Sequence, residues 1–182
     1  MIDQNLIEEC RNGDLSRFRE LVRVTSPFVY SVAFRMLGEE EDARDVVQET
    51  MITVWQKIGK IKSAGAYKTW IYRIVMNRCY DKLRKQKNNP EIREDEKTWT
   101  LLANTISETN DGRLENSEIA AIIGFLTARL SPKQKSVFIL SDIEELSGEE
   151  ISEITGMART SVKANLYFAR KNISEMLKKY LQ

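Results

Sequence analysis

The sequence contains no histidine, and it has only two cysteines and three prolines among its 182 residues. The missing imidazole excludes Ser-His-Asp and Cys-His catalytic pairs, histidine acid–base catalysis and most catalytic zinc sites. Cys10 and Cys79 lie far apart and form neither a Cys-x-x-Cys metal motif nor a disulfide framework. These absences exclude those classes of catalysis and metal site, and we expect no catalytic residues, no bound metal and no cofactor.

Long apolar runs are also missing. No uninterrupted apolar stretch approaches the ~20 residues that a membrane-spanning helix needs. The first ten residues include Asp3, Glu8 and Glu9, where a secretory signal would have a basic start and an apolar centre. We therefore expect no membrane insertion and a cytoplasmic location.

Charge is plentiful but segregated, and the net charge of +1 conceals this. Residues 39–49 hold six acids and one base, whereas residues 60–87 hold nine bases and one acid. Residues 91–118 are acidic again, residues 142–153 hold six acids and no base, and residues 159–179 hold six bases and one acid. A single block could be only a solvated face, but two basic blocks favour a nucleic-acid partner.

Apolar residues recur every three or four positions, and no β-like alternation persists, which predicts an all-α fold. Asp14 is the expected N-cap of a second helix that reaches Leu37, and Pro27 should bend or interrupt that helix. A third helix is predicted over residues 40–58 and a fourth over residues 67–86.

The helical periodicity fails after the fourth helix and resumes near residue 117. We therefore predict two small helical domains, residues 1–87 and 117–182, joined by a flexible acidic linker at residues 88–116.

Residues 149–171 have the pattern of a helix-turn-helix. Ser147 followed by Glu150 forms a capping box, and Gly156 supplies the left-handed residue that the turn needs. The polar face of the second helix suits a major groove. That face comprises Arg159, Thr160, Ser161, Lys163, Ala164, Tyr167 and Lys171. An ordinary helical hairpin would share this shape, so the motif alone leaves DNA binding open.

The fourth helix mixes aromatic and cationic side chains over residues 67–78. Proteins grip single strands by stacking bases on aromatic rings while cations hold the backbone. Arg73 and Asn77 recur at helical spacing, and an asparagine amide can read a base edge. Trp70 is expected to point inward, so a basic amphipathic helix with buried aromatics is the alternative interpretation.

The acidic third helix could suggest a metal site, since Asp45 and Glu49 are one turn apart. Without histidine ligands, and with so many solvated acids, a protein-docking surface is the better interpretation. Val46, Val47 and Met51 would supply its apolar contacts, and the helix ends in Trp55. A metal-dependent enzyme acting on DNA or RNA remains one alternative, and a helix-turn-helix regulator acting on duplex DNA without polymerase is another.

In combination these segments resemble the extracytoplasmic-function (ECF) sigma factors of the bacterial sigma-70 family. The resemblance rests on the strings at residues 35–49, 67–81 and 130–163. It implies a non-enzymatic initiation factor that binds core RNA polymerase, recognises and melts promoter DNA, and is held inactive by an anti-sigma factor.

The resemblance also implies roles for individual residues. Core-polymerase contacts fall on Asp42, Asp45, Val46, Gln48 and Glu49. Recognition and melting of the −10 element fall on a loop formed by Ile61, Lys62, Ser63, Ala64, Gly65 and Ala66, and on Tyr67, Arg73, Asn77 and Arg78. Recognition of the −35 element falls on Arg159, Thr160, Ser161, Lys163, Ala164, Tyr167, Phe168 and Lys171.

Two departures from the family pattern concern the recognition helix. Thr160-Ser161-Val162 stands where the family usually has Gly-Thr-Val, and Asn165 and Phe168 occupy positions where arginine is common. The loss of two cations predicts an unusual −35 preference.

Overall fold

The computed structural model describes residues 2–87, 124–127 and 129–180, and every regular element in these ranges is helical. The N-terminal helices are α1 (Gln4–Arg11), α2 (Leu15–Leu37), α3 (Glu40–Lys57) and α4 (Ala64–Lys87), with a 3-10 turn at Ile58–Lys60 between the last two. The C-terminal helices are α5 (Pro132–Phe138), α6 (Gly148–Thr155) and α7 (Arg159–Tyr180), with a π-helical turn at Ile139–Ile143 after α5.

The ends of the N-terminal helices follow local sequence signals. The Asp14 carboxylate accepts hydrogen bonds from the backbone amides of Ser16 and Arg17 at 2.8 and 3.1 Å, which confirms the predicted cap of α2. Gly38 ends α2 in the left-handed conformation, with φ at 80°. Pro27 lies inside α2, and the helix continues through it from Leu15 to Leu37.

Helices α1 to α4 enclose one apolar core. Leu21, Val29 and Met36 of α2 are fully buried, as are Val46 and Val54 of α3. Helix α4 supplies the remaining wall, made of Tyr67, Ile71, Tyr72, Val75, Met76 and Cys79, all at most 2% exposed. Burial of this many large side chains is the main force that holds the four helices together.

The C-terminal helices confirm the predicted helix-turn-helix. Ser147 and Glu150 form the expected reciprocal capping box at the start of α6, and Gly156 has a φ of 70° at its end. Ile151 and Ile154 of α6 pack inward with Val162 of α7, each at most 3% exposed. The turn therefore holds α7 across α6 with its polar side outward.

Other sequence-based boundaries differ from the structure. Helix α4 begins at Ala64 rather than Tyr67, because Gln4 Oε1 accepts from the Ala64 amide at 3.0 Å and Ser63 Oγ from the Ala66 amide at 3.2 Å. The predicted loop thus ends at residue 63. The predicted linker, residues 88–116, lies outside the described residues, and the helix expected over residues 117–130 is described as helical only at residues 124–127.

The two domains lie against each other. Val137, Leu140 and Ile151 belong to the same buried cluster as the core of the N-terminal helices. Polar contacts accompany this packing, among them a 2.5 Å hydrogen bond between the hydroxyls of Tyr80 and Ser136. Because α5 and α6 rest on α4, the interdomain surface is part of the folded core.

A lysine occupies this interface. Lys135 is partly buried beside Cys79 of α4, and the loss of hydration lowers the pKa of its ammonium to about 8. Burial acts in the opposite direction on the thiol and raises the pKa of Cys79 to about 12. The interface therefore favours the neutral form of both groups.

We expect Lys135→Met to raise the free energy of unfolding at pH 7 by up to about 3 kcal/mol. In the unfolded chain Lys135 titrates near 10.5. The free-energy cost of burying its ammonium is therefore at its full value below about pH 8, and it falls to zero as the pH rises to 10.5. The advantage of the methionine variant should shrink over that interval. Urea unfolding of both proteins along this pH series measures the difference, with exposed Lys133→Met as control; a gain that does not vary with pH contradicts the assignment.

Candidate polymerase and DNA surfaces

One exposed stripe on α3 combines acidic and apolar side chains. It is formed by Asp45, Gln48, Glu49, Ile52 and Trp55, which we call the α3 stripe. Ile52 and Trp55 are 50% and 46% exposed, which is unusual for large apolar residues, and Trp55 meets Phe18 edge to face. Ile52 was missing from the sequence-based site, although its seven-residue spacing from Asp45 would have placed it there.

The carboxylates of α3 are held in place by cations of α4. Lys82 Nζ lies 2.6 Å from Asp42 Oδ1 and 3.0 Å from Asp45 Oδ2, and Arg78 Nη1 lies 3.2 Å from Glu49 Oε2. Burial disfavours the ammonium of Lys82, but the two aspartates outweigh it and raise the pKa of Lys82. Asp42 is the more enclosed aspartate, with its side chain 27% exposed against 61% for Asp45.

Val46 does not belong to this surface. It is fully buried in the core between the helices, so the sequence-based expectation of a polymerase contact from its side chain needs correction. Helical geometry turns Val46 about 100° from Asp45, into the N-terminal core. Its neighbour Val47 is partly exposed and borders a shallow groove with Pro27, Tyr30 and Gln48.

A second surface runs along α4. Ala66, Arg73, Asn77 and Arg84 are exposed and share one side of the helix, which we call the α4 face. Lys62 and Gly65 are exposed at its N-terminal end, Ser63 and Ala64 are partly exposed, and Arg78 is partly buried. The structure therefore places most of the predicted −10 residues at the surface.

Ile61 and Tyr67 are exceptions, because both side chains are buried. The Tyr67 hydroxyl lies 3.2 Å from Thr25 Oγ1, and burial raises the pKa of Tyr67 to about 12. The sequence-based expectation that either side chain contacts DNA directly is therefore corrected: both side chains pack in the core. Both residues fix the first turn of α4 against the core.

The third surface is the outer side of α7. All eight predicted −35 residues are exposed, and the neighbouring rings of Tyr167 and Phe168, 64% and 49% exposed, meet edge to face. Arg159 forms an ion pair with Glu149 of α6, and Lys171 Nζ lies 3.8 Å from Glu175 Oε1 within α7. The side-chain amide of Asn165 donates to the backbone carbonyl of Ser161, one turn earlier in the same helix, at 2.8 Å.

Helix α7 is anchored by a two-point ion pair. Arg170 donates from Nε and Nη2 to the Asp142 carboxylate at 2.9 and 2.6 Å. This guanidinium holds the pKa of Asp142 below its usual value. The contact ties the recognition helix to the π-helical turn, so the orientation of its outer side is defined by the fold.

Two further observations concern the part of the chain that the structure describes. Within residues 2–87, 124–127 and 129–180, no cluster of three or more cysteine, aspartate or glutamate side chains is arranged to hold a metal ion. In the same ranges, no helix is both long enough and apolar enough to cross a lipid bilayer.

Comparison with known proteins identifies both domains. Residues 21–89 match the family described as Sigma-70 region 2, and residues 120–173 match Sigma-70, region 4. The chain is 30% identical over 142 residues to the RNA polymerase sigma factor SigV of Bacillus subtilis, covering 78% of this chain and 80% of SigV. The chain belongs to the sigma-70 family of sigma factors.

Similarity to further proteins assigns the chain to the ECF group of this family. It is 26% identical to the ECF RNA polymerase sigma factor SigW of Bacillus subtilis over 98% of both chains. The sigma factor RpoE of Bartonella quintana, solved in complex with the anti-sigma factor NepR, has the same fold, with a TM-score of 0.65 and 20% identity over 90% of this chain and 98% of RpoE. As an ECF sigma factor, the protein directs core RNA polymerase to promoters and is not an enzyme.

Val46 and Gln48 of α3 differ in burial, and substitutions at the two positions test this difference. We expect Val46→Ala to lower the free energy of unfolding by roughly 2 kcal/mol, because it leaves a cavity in the core. Gln48→Ala, on the exposed stripe, should change it by less than about 0.5 kcal/mol. Thermal or urea unfolding of both variants measures this, and equal effects at the two positions would contradict the placement of Val46.

Proposed function

We propose that the α3 stripe is the surface that docks on core polymerase. The observation that carries this is that exposed carboxylates, at Asp45 and Glu49, are followed on the same side of the helix by the exposed apolar side chains of Ile52 and Trp55. Acids steer a basic partner surface into place, while apolar side chains supply contact area once water is expelled. Asp42 lies at the edge of this surface, where Lys82 holds it.

Asp45→Lys should abolish co-purification with core polymerase. The substitution reverses the charge at the exposed centre of the stripe, whereas Lys82 keeps its shorter contact with Asp42 and the fold is retained. The matched control is Glu8→Lys, which makes the same charge change at an exposed position of α1. Helical circular dichroism verifies folding, and normal polymerase binding by the folded Asp45→Lys variant would refute the proposal.

For the −10 element we propose that the α4 face and the start of α4 act together. Arg73 and Arg84 would hold the phosphates of a separated strand, and the Asn77 amide would pair with a base edge. The small residues Gly65 and Ala66 leave room for an extruded base beside the first turn. Extrusion costs a few kcal/mol of stacking, which these contacts must offset.

For the −35 element we propose that α7 enters the major groove of duplex DNA. Lys163, Ala164 and Tyr167 lie on the outer side of its N-terminal half, where a recognition helix meets base edges. Thr160 and Ser161 sit in the first turn and can donate to phosphate. Phe168, where an arginine is common in the family, offers apolar contact to a thymine methyl group instead of a guanine contact.

We expect Lys163→Ala to reduce transcription from a cognate promoter at least tenfold and to flatten the salt dependence of binding, because one phosphate or base contact is lost. Lys133→Ala, an exposed lysine at the start of α5, is the charge-matched control. Run-off transcription by the reconstituted holoenzyme is the measurement. Equal activity of both variants would remove Lys163 from the DNA surface.

Three broader expectations also belong to this proposal. We assign residues 1–87 and 117–182 to the two functional domains, and residues 88–116 to a flexible acidic linker that occupies the nucleic-acid channel of polymerase. Eight acids against three bases at residues 91–118 support that assignment. By analogy with RpoE and NepR, an anti-sigma factor binds the chain in the cytoplasm.

A further inference from the structure

The outer side of α7 has an uncharged centre. Ala164, Tyr167 and Phe168 lie there within about one turn of one another, and the two rings are 64% and 49% exposed. Lys163 and Lys171 flank this centre, and both are exposed. Large apolar side chains that are exposed side by side mark a surface that meets a partner, and the flanking cations favour an anionic partner.

The side chains of α7 that are best suited to hydrogen-bond a base are already bonded within the chain. Both of its arginines, Arg159 and Arg170, pair with carboxylates of their own domain. The side-chain amide of Asn165 donates to the backbone carbonyl of Ser161 at 2.8 Å. Guanidinium groups commonly read guanine and side-chain amides commonly read adenine in the major groove. Over the described turns of α7, these groups are therefore engaged elsewhere.

The two exposed lysines do not replace these groups as base readers. An ammonium is a compact charge on a flexible stem, whereas a guanidinium is a planar fork that fits two acceptors at once. Lys163 and Lys171 therefore suit phosphates, which position a helix on DNA without specifying its sequence. Discrimination between bases is left to the apolar side chains at the centre.

A base pair presents one apolar group in the major groove, the methyl group on C5 of thymine, and aromatic rings and alanine contact it well. A 5-methylcytosine carries the same methyl group on the same ring atom. The ring centroids of Tyr167 and Phe168 are 5.4 Å apart. Since this separation exceeds the rise of about 3.4 Å between base pairs, the two rings match methyl groups on neighbouring base pairs.

We propose that Tyr167 and Phe168 recognise the C5-methyl groups of pyrimidines on two neighbouring base pairs of the −35 element. The ligand class is duplex DNA that carries thymine or 5-methylcytosine at these positions. The inference rests on the proposed role of α7. It goes further because it names the chemical group that is recognised and makes promoter recognition sensitive to cytosine methylation.

Single-atom changes in the DNA test the proposal without altering the protein. Holoenzyme reconstituted from the full chain and core polymerase first selects promoter duplexes from a library that is randomised upstream of the start site. A selected duplex is then resynthesised with deoxyuridine in place of one thymine at a time, which removes only the methyl group. Cytosine and 5-methylcytosine at the same positions differ by that group as well. Fluorescence anisotropy of the labelled duplexes gives the holoenzyme affinity.

We expect removal of the methyl group to weaken wild-type binding about fourfold at each of two neighbouring upstream positions, because one buried methyl group is lost. At both positions 5-methylcytosine should bind more tightly than cytosine by a similar factor. Phe168→Ala should abolish the discrimination at one position and Tyr167→Ala at the other. Tyr167→Phe is the matched control, because it keeps the ring and should keep the discrimination.

Three results would overturn the inference. One is equal affinity of the wild-type holoenzyme for thymine and uracil duplexes at every upstream position, or a selected upstream element that lacks thymine. Another is an equal loss of affinity for thymine and uracil duplexes in Phe168→Ala and Tyr167→Ala, which would assign the rings a role unrelated to the methyl group. Equal binding of cytosine and 5-methylcytosine would overturn the sensitivity to methylation.

The affinity for the unsubstituted duplex separates this inference from the proposed function. If α7 does not enter the major groove, Lys163→Ala, Tyr167→Ala and Phe168→Ala all bind this duplex as tightly as the wild type does. If α7 enters the groove without recognising methyl groups, the three variants bind it more weakly, and only the dependence on the methyl group is missing. The two proposals can therefore fail independently.

Discussion

The structure depends on a single helix, α4, that must satisfy neighbours on several sides at once. One side completes the N-terminal core through Tyr67, Ile71 and Val75. A second side supplies Arg78 and Lys82 to the carboxylates of α3. The C-terminal domain packs on the same helix, and only the remaining face is available to nucleic acid. Any change in the pitch or starting point of α4 would therefore disturb both the core and the DNA surface.

The ion pairs between α3 and α4 connect the proposed polymerase surface to the proposed melting surface. Lys82 holds Asp42 and Asp45 within 3.0 Å while most of its own side chain is shielded from water. The ammonium of Lys82 offsets the repulsion between these two carboxylates, so the acidic helix keeps its position despite its high charge density. Asp45 and Glu49 still expose about half of their side chains or more. The same carboxylates can thus orient α3 within the domain and face a partner outside it.

Local chemistry explains which parts of the fold were predictable from the sequence. The cap at Asp14, the capping box of Ser147 with Glu150 and the turn at Gly156 each depend on residues within a few positions of one another. The burial of Ile151, Ile154 and Val162 follows from helical periodicity alone. These signals defined the helix-turn-helix and its outward face correctly.

Features set by distant residues were not predictable in the same way. The first turn of α4 depends on Gln4, which is 60 residues away, so the sequence-based start at Tyr67 was late. Val46 follows Asp45 in an acidic helix, where local sequence fits either an apolar partner contact or a core residue, and only the packing of α2 on α3 decides its burial. Glu144 had no local signal at all, because its partners Arg35 and Tyr72 are 109 and 72 residues away.

The near-neutral total charge has a structural consequence once these contacts are considered together. Acidic and basic blocks that alternate along the chain meet in space, at Lys82 with Asp42 and at Arg73 with Glu153. A nucleic-acid-binding protein with strong cationic surfaces would otherwise associate with any polyanion through counterion release. Internal pairing lowers that indiscriminate attraction, and it does so at the surfaces where selectivity is needed. Because such pairs are screened by salt when exposed, the shielded pair of Glu144 with Arg35 can add to the apolar packing between the domains at physiological ionic strength.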